Sequence, residues 1–292
     1  MKKQMHFSVI GGDLRQGKLA ELLAKDGHLV HTFGLERLPE PLSVPQASTL
    51  EQASAIADCI ILPLPMCGEN GLNLPFGDTQ CPLGQLMTIL RPEQIICAGM
   101  VEESLAQSAA SRGLVIHDYL AREELAIANA IPTVEGALGL AMEEMAITLH
   151  GANALVIGYG RLGKLLAGDL KALGAHVSVS ARRYDDFAWI KANGFRPLHT
   201  AHLEADLPSF DLIINTVPAR VLDRHPLSLL SPGCLCIDLA SRPGGIAFEA
   251  AAELGVKAIW ALSLPGKVAP VTAGQAIRDT IYNILQELGV SL

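Results

Sequence analysis

The stretch Leu155–Arg183, LVIGYGRLGKLLAGDLKALGAHVSVSARR, decides the fold of the chain's second half. An apolar run ends at Gly158, and Gly158, Gly160 and Gly163 then form G-x-G-x-x-G at the start of a helical pattern. A second apolar run, 176–180, follows. In this strand–turn–helix–strand setting the first glycine permits the tight turn. The second lets the backbone approach a pyrophosphate, and the third lets helix and strand pack closely. The free N–H groups and positive dipole end of the helix that begins at Arg161 suit the phosphates. The spacing predicts a dinucleotide site built from Gly158, Tyr159, Gly160, Arg161, Leu162 and Gly163. The alternative is a tight turn without a ligand.

The second strand does not end on an acid that would hold a ribose 2′-hydroxyl. It ends on Ser180, Ala181, Arg182 and Arg183. A hydroxyl donor and two guanidinium groups suit a 2′-phosphate, so the expected cofactor is NADP, held by Ser180, Arg182 and Arg183. Two alternatives stand beside this: an arginine facing solvent, or Asp185 or Asp186 reaching the ribose.

Outward from this stretch, apolar runs at 153–157, 176–180, 211–215, 234–238 and 257–260, with a weaker one near Phe195, alternate with helical patterns. That is the pattern of a parallel sheet with helices on its faces. NTVPARV at 215–221 and IDLASRPGG at 237–245 leave two of these strand ends, where the nicotinamide end of a dinucleotide is expected. Asn215, Thr216, Val217, Pro218 and Asp238 join the candidate cofactor contacts. Arg242 is a candidate clamp for a substrate carboxylate, through two parallel hydrogen bonds. It could instead pair with Asp238 or face solvent.

The first half repeats the alternation in HFSVIGG, HLVHTFG, DCIILPLP, EQIICAG and LVIHD. These five strands predict a doubly wound sheet of the flavodoxin type. The Gly- and Pro-rich segment MCGENGLNLPFGDTQCPLG leaves the third strand at the edge where such sheets bind ligands, and its length suggests a working loop or lid. Gly11 and Gly12 precede a helix with Arg15 in its first turn, an anion pocket for a carboxylate or phosphate unless it is a plain turn or a second mononucleotide site. Helical spacing from Ile131 to Gly151 reads as a bridge between two sheets, with Gly151 ending the helix. His117, Tyr119, Arg122, Glu123 and Glu135 lie near it. The last segment carries Lys267 and Thr272 before an amphipathic helix that is expected to pack back on the first domain. The expected architecture is thus α/β, with two doubly wound parallel-sheet domains. Residues 1–130 plus 270–292 form a substrate-side domain, 131–150 an interdomain helix and 151–269 a Rossmann NADP-binding domain.

The totals exclude several classes. The formal charge of the 292 residues is −8, against a nucleic-acid partner. Half the residues are hydrophobic and 18% charged, enough for real cores. The six cysteines contain no C-x-x-C pair, so neither a metal site nor a disulfide framework is expected, and free thiols fit a reducing cytoplasm. Cys234 and Cys236, two apart in an apolar run, would share one face of a strand. No window approaches the ~18 apolar residues of a membrane span, and the N-terminal residues lack a secretory apolar run.

VIGGDLRQ at 9–16, LPLP at 62–65, IPTVEGALGLAM at 131–142, the opening stretch, IDLAS at 237–241 and LPGKVAPVTAG at 264–274 occur in this order over essentially the whole chain. The series resembles the dipicolinate synthase A-subunit family. The resemblance implies an NADP-dependent oxidoreductase of the sporulation branch of the lysine (diaminopimelate) pathway. Such an enzyme oxidises dihydrodipicolinate, or its 4-hydroxy-tetrahydro precursor, to dipicolinate. The implied setting is the mother-cell cytoplasm, with a flavoprotein-like B-subunit of dipicolinate synthase as partner and a homo-oligomer, expected to be a dimer. The two-domain plan is similar to that of formate/glycerate and alanine dehydrogenases. Arg242 looks like the arginine of D-2-hydroxyacid dehydrogenases, but the histidine they use near the end of the nucleotide domain is missing from GKVAPVTAG. A ring whose oxidation ends in aromaticity depends less on a strong base. On this reading Arg15 and Arg242 grip the two ring carboxylates from opposite domains. Lys267 or Thr272 completes the site, and Glu135 supplies an acid if water must also leave. The rivals are an NADP-dependent hydroxyacid or amino-acid dehydrogenase, and a non-catalytic NADP-binding protein that serves a catalytic partner.

Overall fold

A computed structural model describes residues 4–292, so Lys2 and Lys3 lie outside the described residues. The chain divides into two compact units, Met1–Asn129 with Pro265–Leu292, and Ala130–Leu264.

In the first unit β1 (His6–Ile10), α1 (Leu14–Lys25), β2 (Leu29–Phe33), α2 (Leu50–Ala55) and β3 (Cys59–Ile61) are followed by a small ribbon, β4 (Cys67–Gly68) and β5 (Gly71–Leu72). Then come α3 (Leu83–Ile89), β6 (Ile95–Ala98), α4 (Glu103–Ala110), β7 (Ile116–Asp118) and the start of α5 (Glu123–Glu144). The sheet order is β2-β1-β3-β6-β7, all parallel, the flavodoxin order. Phe7, Val9, Cys59 and Ile61 face one core while Ile10, Ile60, Leu62 and Ile96 face the other, which is why these strands read as unbroken apolar runs.

The second unit runs β8 (Asn153–Ile157), α6 (Arg161–Ala172), β9 (His176–Ala181), α7 (Tyr184–Ala192), β10 (Arg196–His199), β11 (Leu212–Asn215), α8 (Arg224–Ser228), β12 (Leu235–Asp238), α9 (Phe248–Glu253) and β13 (Lys257–Trp260). Its order, β10-β9-β8-β11-β12-β13, is the Rossmann order, parallel throughout. Ala154 and Val156 face one core, Leu155 and Ile157 the other. Cys234 and Cys236 both face the second, as their spacing requires. After α10 (Leu264–Val268), α11 (Pro270–Glu287) packs on α1.

Two features differ from the sequence reading. Helix α5 begins at Glu123, before Ile131, and stops at Glu144, so Gly151 does not end it. Pro132 lies inside α5, and Glu123 and Glu124 occupy its first turn, where acids suit the dipole. The same helix is long and apolar enough to cross a membrane by length and composition, which corrects the expectation that no window qualifies. Its Val134, Ala137, Leu138 and Ala141 are buried in the second unit's core, as in a core helix.

Candidate functional site

Gly158 follows β8 and Thr216 follows β11, at the point where the strand order of the second sheet reverses. Open α/β sheets bind ligands at such a point. A cleft of about 830 Å³ opens here, lined by Gly158, Tyr159, Gly160, Arg182, Arg183, Asp186, Thr200, Thr216, Val217, Pro218 and Arg220 among others. Its volume is within the range of small-molecule sites.

The three glycines divide as their roles require. A Cβ on Gly158, at φ +99°, would stand 2.5 Å from Thr216 Oγ1, and one on Gly163 would stand 2.1 Å from the Gly158 carbonyl oxygen. Both are consumed by packing. A Cβ on Gly160 would meet nothing within 4 Å. Gly160 is also the N-cap of α6 and, having no side chain, makes no side-chain cap there. An open glycine at the N-cap of a helix is the geometry that a pyrophosphate fits. Arg161 opens α6, and Leu162 is half-buried behind it. Tyr159 is held by a hydrogen bond from Asn193 Nδ2 to its hydroxyl, 3.2 Å, and burial raises its pKa.

The arginines are not equivalent. Arg183 is paired with Asp185 and lies 3.6 Å from Asp186, although its side chain is 70% exposed. Arg182 is exposed to the cleft and enters no ion pair among the described residues. Arg220, the single charged residue of NTVPARV, lines the same cleft, as does Thr200. Sequence alone assigns Arg220 no role; its signal there is a guanidinium two residues after Pro218. Asp186 reaches the cleft, whereas Asp185 is taken up by Arg183.

Three of the expected contacts have no exposed surface. Ser180 is fully buried; its Oγ accepts a hydrogen bond from Thr200 Oγ1, 3.2 Å, so Thr200 stands at the cleft in its place. Asn215 and Asp238 are also fully buried. Asn215 Nδ2 donates to Asp238 Oδ1 at 2.7 Å, and the carboxylate also accepts N–H bonds from Ala240, Gly245 and Ile246. They shape the cleft from beneath. Asp238 is therefore not the partner of Arg242. The Arg242 guanidinium lies over the Trp260 ring, 5.9 Å from its centroid, exposed on the 241–244 turn, while Trp260 Nε1 donates to the Ala240 carbonyl at 2.9 Å.

In the first unit the carboxylate expected at Arg15 is the chain's own. Arg15 is 7% exposed, donates from Nη2 to Asp13 Oδ2 at 2.8 Å and to the Leu64 carbonyl at 3.0 Å, and Asp13 caps α1. This pair spans the ends of β1 and β3, where that sheet's order reverses. Gly11 and Gly12 admit the chain itself: a Cβ on Gly11 would meet Leu74 at 2.3 Å, and the Gly12 N–H donates to the Asn73 carbonyl at 2.9 Å. The long loop after β3 is therefore seated on the sheet edge. A Cβ on Gly266 would stand 3.1 Å from both Arg15 Nε and Asp13 Oδ2; Lys267 beside it is exposed, as are Thr272 in the first turn of α11 and Glu135 on α5. Tyr119 is fully buried, donating to the Leu62 carbonyl at 2.9 Å, and Arg122 is paired with Glu124 and Glu287. Among the described residues no group of three His, Cys, Asp or Glu side chains could hold a metal ion.

Compared with known proteins, the chain is 34% identical to the A-subunit of dipicolinate synthase from Bacillus subtilis (strain 168) over 287 residues, 97% of each chain. The chain belongs to the dipicolinate synthase A-subunit family. Residues 6–120 match the profile of the family's N-terminal domain. The crystal structure of the Bacillus subtilis A-subunit superposes with a TM-score of 0.86 over 99% of this chain and 98% of that one. That of the Bacillus halodurans A-subunit, 32% identical, does so at 0.87 over 98% and 99%. A transhydrogenase from Sinorhizobium meliloti, 19% identical with a TM-score of 0.71 over 97% and 94%, shares the fold. The cleft described above lies at the strand-order reversal, where open α/β sheets of this fold bind ligands.

Proposed function

We propose that this protein is an NADP-dependent oxidoreductase that oxidises dihydrodipicolinate, or its 4-hydroxy-tetrahydro precursor, to dipicolinate. The observation that carries the reading is the 34% identity to a dipicolinate synthase A-subunit over 97% of both chains. When bound, the cofactor supplies a two-electron acceptor that takes a hydride from the ring, which then becomes aromatic.

The remaining steps belong to the chain. The open face of Gly160 and the N–H groups of the first turn of α6 receive the pyrophosphate. Arg182 and Arg220 hold the 2′-phosphate, with Thr200 in the place expected of Ser180. Arg242, kept extended over Trp260, pairs with a ring carboxylate. Release of the ring proton needs no strong base, because aromatisation drives it; with the hydroxylated precursor, Glu135 is assigned the acid that helps water leave. The reading includes the B-subunit of dipicolinate synthase as partner, a homodimer, and the cytoplasm of a sporulating mother cell.

Mixing the purified chain, NADP and freshly made dihydrodipicolinate, with and without the B-subunit, tests the reaction by ultraviolet absorbance. The expected result is NADPH and pyridine dicarboxylate appearing together. NADP binding with no pyridine formed in either mixture contradicts it.

A further inference from the structure

The Asp238 carboxylate sits at the end of β12 with no exposed surface, yet it touches neither Arg242 nor the open cleft. Among the described residues its four hydrogen bonds all come from N–H donors. Oδ1 receives Asn215 Nδ2 at 2.7 Å and Ala240 N at 3.0 Å; Oδ2 receives Gly245 N at 2.7 Å and Ile246 N at 3.2 Å. Three of these come from the segment that begins and ends the Arg242 turn.

The other half of the arrangement runs towards the cleft. Asn215 closes on Val217 with both ends of its amide, Nδ2 to the Val217 carbonyl at 2.9 Å and Oδ1 from the Val217 N–H at 3.1 Å. The Gly245 carbonyl accepts the N–H groups of Val221 and Leu222, both at 2.9 Å. Val217, Val221 and Leu222 all line the cleft. A Cβ on Gly245 would stand 2.3 Å from Asn215 Nδ2, so the residue at 245 must be glycine for the two segments to meet. One buried carboxylate is thereby wired to both strand-edge loops, and a buried network satisfied on every side is rigid.

We propose that Asp238 is a positioning residue for the nucleotide cleft: through Asn215 and Gly245 it fixes the 217–222 loop that lines the cleft and the turn that carries Arg242. This rests on the reading of the cleft as a nicotinamide dinucleotide site. Asp238→Asn replaces an acceptor with an NH₂ donor facing N–H groups. Asn215→Ala cuts the link to Val217 but leaves Asp238 its three backbone donors, so that variant is expected to fold. Asp211→Asn serves as a comparison, because Asp211 holds the Asn153 N–H at 2.8 Å at the opposite edge of the same sheet.

The test uses the full-length chain. Hydrogen exchange without ligand is followed at Val217, Val221, Leu222 and Ile246, and NADPH affinity is measured by nucleotide fluorescence. Asp238→Asn and Asn215→Ala should speed exchange in both loops and weaken NADPH at least tenfold. Asp211→Asn, even with an equal drop in thermal midpoint, should leave affinity within twofold. Exchange that changes only in 239–246, or affinity that merely follows the thermal midpoint across all three variants, overturns the proposal. A wild-type chain that binds neither NADPH nor NADH instead overturns the nucleotide reading, and the positioning role with it, whatever the exchange shows.

Discussion

At the start of α7, Arg183 is paired with Asp185 and approached by Asp186, whereas Arg182, one residue earlier, faces the cleft without an ion pair among the described residues. Two arginines adjacent in sequence thus differ in what they can offer an anion. A guanidinium already matched by carboxylates has its charge compensated; an unmatched one does not. Arg182→Ala and Arg220→Ala are each expected to weaken NADPH binding about tenfold, about 1.4 kcal/mol. Arg183→Ala should change it by less than threefold. Titrations of the three variants, followed by nicotinamide fluorescence, check the ranking.

The glycines predict a split between folding and binding. Gly163→Ala places a methyl group 2.1 Å from a backbone oxygen that cannot yield easily, so the chain should lose several kcal/mol of stability, about 3 or more. Gly160 has a φ of −84° and open space beside it. Gly160→Ala should keep the wild-type thermal midpoint within about 2 °C while NADPH binding falls at least tenfold, because the methyl group stands where the pyrophosphate must come. Calorimetry and binding on the same samples separate the two effects.

Arg242 is held over Trp260 and stands apart from the glycine turn. Removing a guanidinium that meets a carboxylate through two bonds costs about 1.5–3 kcal/mol. Arg242→Ala should therefore lower kcat/KM for the dihydropyridine at least tenfold with NADPH affinity within twofold. Trp260→Leu, which removes the ring beneath the guanidinium, should give a smaller loss of the same kind. Steady-state kinetics with the B-subunit present provide both numbers.

The thiols give a prediction that is independent of the reaction. A hydrogen bond with Cys97, and then burial, push the Cys59 thiol well above its usual range; Cys234 and burial do the same to Cys236. Burial raises half-buried Cys67 more modestly. Since the thiolate is the reactive form, native protein at pH 8 should be labelled first and slowly at Cys67. Cys59, Cys97, Cys234 and Cys236 should react only on unfolding. Mass spectrometry after timed alkylation reads this directly.

Much of the fold was legible because parallel strands buried on both faces leave unbroken apolar runs such as NALVI and LIIN, and because glycine spacing reports backbone geometry. The site was legible only to the level of residue type. Ser180 and Arg182 sit two apart at a strand end, yet one is buried under Thr200 and the other is open, since the strand stops between them at Ala181. Arg15, Arg183 and Asp238 each found a partner within eight residues: Asp13, Asp185, and the 240–246 backbone. Sequence shows such neighbours but does not say which of them a charge will choose.

Paired titrations of the full-length chain with NADPH and NADH at physiological salt test the proposed preference for an extra phosphate most directly. NADPH is expected to bind at least tenfold more tightly, with the ratio falling towards one in the Arg182→Ala/Arg220→Ala double variant. Equal affinities in the wild-type chain, or tighter binding of NADH, would contradict it.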